Sequence, residues 1–160
     1  MDKTRCIDIL LFDDLNILDV AGPVQAFSSA NDDGVNRYQL RYVSLDGGAV
    51  TSSCGLRLQA DQRLKIEAHY DLLIPGGRGV DCMLQQPELQ EILNDWHDSS
   101  SDRRVISVCS GALILADAGL LDGRSATTHW GRAAVVRNLF PKVNWATDAL
   151  YKIDDRIFTS

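Results

Sequence analysis

The sequence is short of several things, and each shortage removes a class of protein. No stretch approaches the ~20 apolar residues of a membrane-spanning helix. The opening MDKTRCIDILLF has only a brief apolar run, interrupted by Asp8, and does not read as a secretory signal. We therefore expect no membrane partner and a cytoplasmic location. Positive charge is scarce: 16 Lys and Arg stand against 22 Asp and Glu, for a formal net charge of -6. Gripping nucleic acid needs a basic face, so these residues are not expected to touch DNA themselves. Arg103, Arg104, Arg124, Arg132 and Arg137 read as solvated surface. Cysteines number four, at positions 6, 54, 82 and 109, and none forms a Cys-x-x-Cys pair. That removes zinc-ribbon and thioredoxin-type sites, and without a secretion signal disulfides are not expected. Neither a metal nor a cofactor is indicated. There are no repeats, low-complexity runs or linkers, so residues 1–160 read as one domain.

What is present alternates between strand and helix patterns. CIDILLF (6–12), YQLRYVSL (38–45), YDLLIPGG (70–77) and RVISV (104–108) read as strands. AVTSSCGLRLQAD (49–61) reads as short excursion strands broken at Gly55. Helices are expected over 22–31, with Pro23 in the first turn, over 87–100, from Gly111 to Gly119, and over 129–140, with one short turn at VDCML. The last residues suggest a short strand and a hairpin near Asp154 and Asp155. This order predicts an α/β fold with a mostly parallel sheet and helices on both faces. The segments 7–11, 72–74 and 105–108 have the unbroken apolar content of central strands. FDD, PGG and CSG fall at strand ends, where such sheets bind ligands, so their three loops should converge. The chain ends at RIFTS with no helix to cover its last strand, which suggests a truncated domain.

RRVISVCSGALILADAGLLDG (103–123) places Cys109 at a turn from strand to helix among small neighbours. A tight nucleophile elbow needs such neighbours. A helix N-terminus there would lower the thiol pKa, and free amides could hold an oxyanion. Alternatively Cys109 is a small buried hydrophobe. Gly76 and Gly77 would bring bare amides beside the thiol, or form a plain turn. Asp19, expected in the loop before the first helix, could take the thiol proton or cap the helix. His129 could pair with the thiol or simply pack beside Trp130. His69 and His97 read as surface, Cys6 and Cys82 as core, and Cys54 as a loop thiol.

LDVAGP, LLIPGG, VCSGALILADAGLLDGRSATTHW and the closing IFTS together resemble the ThiJ/PfpI superfamily, which is class I glutamine amidotransferase-like. The resemblance is nearest to the N-terminal domains of AraC/XylS-type transcriptional regulators. It implies a flavodoxin-like three-layer sandwich, commonly a homodimer, with the elbow cysteine in a small pocket. In the regulators that pocket senses a small molecule, and DNA is reached through a helix-turn-helix domain not contained in these residues. In the family the TS end continues into AG and another helix, in keeping with the expected truncation. The isocyanide hydratase branch shares the motifs; its cooperating aspartate and cysteine correspond to Asp19 and Cys109. That branch carries threonine after the cysteine, where this chain has Ser110. The expected function is a ligand-sensing domain binding through Asp19, Gly76, Gly77, Cys109, Ser110 and His129. The alternative is a cysteine-dependent hydratase or hydrolase using Cys109, Asp19 and His129. A third option is a scaffold whose cysteine is merely oxidisable.

Overall fold

A computed structural model of the chain describes residues 4–31, 34–65, 70–98 and 102–160. Strand β1 (Arg5–Leu10) leads to α1 (Ile17–Ser29) and β2 (Tyr38–Ser44). An antiparallel hairpin of β3 (Ala49–Thr51) and β4 (Arg57–Gln59) follows, then the two-residue β5 (Gln62–Arg63). Next come β6 (Tyr70–Ile74), the single turn α2 (Val80–Met83), α3 (Pro87–Asp98) and β7 (Val105–Ser107). A 3-10 turn over Cys109–Gly111 runs into α4 (Ala112–Asp117) and β8 (Ser125–Ala126). A second 3-10 turn, Trp130–Arg132, opens α5 (Ala133–Leu139), and the chain closes through β9 (Asn144–Trp145), β10 (Lys152–Asp154) and β11 (Ile157–Thr159).

Seven strands form one sheet in the order β10-β11-β7-β6-β1-β2-β5. All pairings are parallel except the β10–β11 hairpin. From β1 the chain steps outward to β2, and from β6 it steps the opposite way to β7. Right-handed crossovers then place the intervening helices on opposite faces. The direction reverses between β1 and β6, so a crevice opens beyond their carboxyl ends.

The core follows from burial on both faces of the inner strands. Ile9, Leu10, Leu72 and Ile74 of the inner strands are fully buried, as are Leu113 and Leu115 of α4. Leu89, Leu93 and Trp96 seal α3 against the sheet at the expected spacing, each contributing about 1.5–3 kcal/mol of burial. An ion pair lies inside: Asp8 of β1 is completely buried, and Arg41 reaches its two oxygens at 2.6 and 2.8 Å. The Arg41 guanidinium also lies 4.1 Å from the centre of the Tyr70 ring.

Several expectations need correction. Helix α1 begins at Ile17, well before position 22, because Asn16 caps it by accepting from the Leu18 N–H at 3.2 Å. Pro23 sits inside the helix, where it cannot donate to the Asp19 carbonyl. Gly22 before it has no Cβ to clash with the proline ring, which eases the helical backbone there. Asp19 is consequently in the first turn of α1, and capping falls to Asn16. Cys6 is half-buried and Cys82 exposed, because α2 turns Val80 and Met83 inward instead. Arg103 is only 4% exposed and lies 5.5 Å from the Trp96 ring, so it is not solvated surface. His97 is partly buried. His69 lies outside the described residues. The two-residue strands β5 and β8 had no sequence signature.

Candidate functional site

The elbow is built by backbone geometry. Cys109 has φ of +59°, a left-handed conformation that costs a non-glycine residue roughly 1–2 kcal/mol. Its neighbours hold it there. Val108 N–H donates to the Ile74 carbonyl at 3.0 Å, Cys109 N–H to Ser160 at 2.7 Å, and Gly111 N–H to Val108 at 3.0 Å. The Cys109 carbonyl accepts from the Thr128 hydroxyl at 3.0 Å and the His129 N–H at 3.3 Å, tying the 128–131 loop to the elbow. Gly111 has to be small: a Cβ there would lie 2.5 Å from the Ile74 carbonyl oxygen.

The loop after β6 is fitted as closely. Gly76 accepts at its carbonyl from the Asn16 N–H at 2.8 Å, and Gly77 bridges to Leu15. FDD, PGG and CSG thus meet beyond the strand ends. The glycine amides, however, are not bare. Gly76 N–H donates to Asp19 Oδ2 at 3.0 Å, and Gly77 N–H donates to Ser110 Oγ at 3.1 Å. One of the two readings has them holding an oxyanion; instead they hold the Asp19 carboxylate and the Ser110 hydroxyl.

The electrostatics also differ from expectation. Burial pushes the Cys109 thiol above its ordinary pKa, and the adjoining Asp19 charge pushes it further. Hydrogen bonds from the Ser110 backbone and side chain pull the other way without prevailing. The elbow opens on only a three-residue 3-10 turn and a six-residue helix, a short run of peptide dipoles to set against that burial. The sulfur thus stands beside a buried carboxylate, that of Asp19, which is 8% exposed.

A cavity of about 500 Å³ opens over the elbow, within the size range of small-molecule sites. Gly77, Cys109, Ser110 and His129 line it, as their positions in the sequence suggested. Asp19 and Gly76 do not; they form the layer behind the thiol. His129 is exposed and accepts at Nδ1 from the Gly131 N–H at 3.1 Å, so the ring proton sits on Nε2. The structure adds Asn16, Ser53, Arg78 and Arg132 to the lining. Arg78 directly follows PGG, and its charge beside that turn was a usable signal. Ser53 arrives from the excursion hairpin through its N–H to the Leu15 carbonyl at 2.9 Å, which no local pattern announces. Among the described residues no three His, Cys, Asp or Glu side chains gather as a metal site, and no helix is long and apolar enough to cross a membrane.

Residues 5–160 match the sequence model of the DJ-1/PfpI family. An uncharacterised protein in the cpoL 5' region of Streptomyces lividans is 39% identical over 134 residues, covering 83% of this chain and 93% of that one. The isonitrile hydratase of Pseudomonas putida is 35% identical over 125 residues, 78% of this chain and 52% of that protein. The HTH-type transcriptional regulator GbdR of Pseudomonas aeruginosa is 31% identical over 158 residues, 98% of this chain and 42% of that protein. The chain therefore spans about half, or less, of the length of these last two relatives. The crystal structure of an AraC family transcriptional regulator from Pseudomonas putida has the same fold. Its TM-score is 0.80 at 24% identity, with 98% of this chain and 83% of that chain covered.

Proposed function

The chain belongs to the DJ-1/PfpI family, and on that premise we propose that it is the small-molecule-sensing domain of an AraC-type transcriptional regulator, its ligand lying in the cleft beside Cys109. The observation that carries this reading is the extent of the match to the regulator GbdR: nearly all of this chain aligns with less than half of that protein. That is the pattern of a sensing module within a longer regulator. The cleft supports binding over turnover, since burial and the Asp19 charge hold the thiol above its ordinary pKa and the two glycine amides are already engaged. A protonated thiol is a weak nucleophile. In this reading the domain is a cytoplasmic homodimer. Ligand binding favours one arrangement of the two copies over another, and DNA is contacted through a separate helix-turn-helix domain. The net charge of -6 suits a module that leaves DNA contact to another.

A metabolite screen by thermal shift tests the reading. A ligand at one hundred times its Kd stabilises by about 2.7 kcal/mol, which raises the Tm of a domain this size by roughly 5–10 °C. Cys109→Ala should weaken the effect. A screen in which nothing raises the Tm would overturn the sensor.

One contact favours a second reading, a cysteine-dependent hydratase of the isonitrile kind. The Asp19 carboxylate beside the thiol can take its proton as the sulfur attacks an electrophilic carbon. This reading requires isocyanide consumption that disappears in Cys109→Ala, and it is discarded if both proteins are inert.

A further inference from the structure

Four side chains that line the cleft, those of Asn16, Arg78, His129 and Arg132, still have hydrogen-bond donors to offer. Asn16 Oδ1 is occupied by the Leu18 N–H, which leaves its amide hydrogens to offer. His129 Nδ1 is occupied by the Gly131 N–H, which leaves Nε2–H. Arg78 is exposed at the rim and has no side-chain hydrogen bond or ion pair among the described residues. Arg132 gives one nitrogen to Asp81 Oδ2 at 2.9 Å and retains the other edge of its guanidinium. Among the described residues no Asp or Glu lines the cavity. Asp19 lies behind the thiol and is engaged with the Gly76 amide, while Asp81 is engaged with Arg132.

From this arrangement we infer that the ligand of the cleft is a small monocarboxylate, received by Arg78 with the His129 Nε2–H and the Asn16 amide as further donors. The inference rests on the sensing reading and deepens it. A cationic ligand would face donors with no charged acceptor in return. A neutral ligand would leave most of those donors unpaired, which costs affinity as the cleft is desolvated. Asp81 balances Arg132, so among the described residues Arg78 is the one unbalanced positive charge in the lining, and this matches a single negative charge better than a doubly charged phosphate ester. A guanidinium also fits a carboxylate with two parallel hydrogen bonds. The chain as a whole is acidic, so a cationic rim is not a by-product of its composition.

The experiment titrates the protein with monocarboxylates from acetate to hexanoate, including their α-amino and α-hydroxy forms. Each acid is run beside its primary amide, with alkyl amines and inorganic phosphate as further arms. Binding is read by thermal shift and by protection of Cys109 from iodoacetamide, which places the ligand in the cleft. Carboxylates should bind and protect. Arg78→Gln should weaken them by about tenfold or more, the scale of a hydrogen bond to a charged group. Arg104→Gln, at the opposite end of the sheet, should leave binding unchanged. An amide, an amine or phosphate binding as tightly as the matched carboxylate overturns the assignment, as does unchanged affinity in Arg78→Gln or the absence of any carboxylate binding. Protection of Cys109 by an amide or amine alone would remove the carboxylate and leave the sensor standing. A silent wider metabolite screen would remove both.

Discussion

Gly76→Ala puts the tight fit between the loop after β6 and the elbow under stress. A Cβ at position 76 would lie 2.6 Å from the Ser110 backbone nitrogen and 2.8 Å from both Asp19 Oδ2 and Ser110 Oγ. Real Cβ atoms do not approach that closely, so something must move. The Ser110 nitrogen belongs to the elbow, which is anchored to β6 and to Ser160, and it cannot swing aside. The strain therefore falls on the loop after β6 or on α1. Overpacking of this kind costs about 1–3 kcal/mol. If the Gly76 N–H is also pulled from the Asp19 carboxylate, a buried acceptor loses its donor at a further cost of about 1–3 kcal/mol. We expect a total of about 2–6 kcal/mol, a large part of the 5–15 kcal/mol that holds a domain folded. At 2–4 °C per kcal/mol, the Tm should fall by roughly 4–24 °C. Urea unfolding followed by fluorescence and circular dichroism measures the loss, provided the two transitions coincide. Gly55→Ala is the control: its φ is +88° but nothing lies within 4 Å, so it carries backbone strain alone, about 1 kcal/mol. A Gly76→Ala penalty below that of Gly55→Ala would refute the geometry of the loop and elbow.

The thiols should titrate in opposite senses. A hydrogen bond with Ser52 and one from the Leu56 N–H hold exposed Cys54 below its ordinary pKa, while Cys109 is held above its own. As pH rises, iodoacetamide should label Cys54 first, and Asp19→Asn should shift Cys109 labelling to lower pH; a shift to higher pH would contradict the part given to Asp19. Above about pH 8.5 unfolded chains release the Cys109 proton while folded ones keep it, so stability should decline there and Cys109→Ala should flatten the decline. Arg41→Met strips Asp8 of its guanidinium inside the sheet and should cost about 3–5 kcal/mol. Adding Asp8→Leu should restore at least half of that loss, and a double variant no more stable than the single would show that Asp8 is not the source of the penalty.

The inner strands were legible because burial on both faces leaves unbroken apolar runs, as in CIDILLF and YDLLIP. The elbow was legible because only small residues fit such a bend. The start of α1 was misread because Pro23 normally marks a first turn, whereas Gly22 lets this helix carry it inside. The four-residue turn α2 was visible, but two-residue strands such as β5 and β8 exist only through pairing with distant residues and have no pattern of their own. Within the site, Cys109, Ser110, Gly77 and His129 could be read locally. The engaged state of the glycine amides could not, because it depends on Asp19 and Ser110 arriving from other elements. The direction of the thiol shift was missed for the same reason: burial and a carboxylate distant in sequence outweigh one short helix.

The dihedral at Cys109 has a consequence for how this position can change over generations. A backbone that prefers glycine is occupied by a residue with a side chain, so drift toward glycine would be downhill in folding energy and would erase the sulfur. A lineage that keeps the thiol is giving up stability there, whereas one that has let it go has reached the relaxed form of the same bend. Which residue occupies this place in neighbouring genomes would separate descendants still using the cleft from those that have abandoned it.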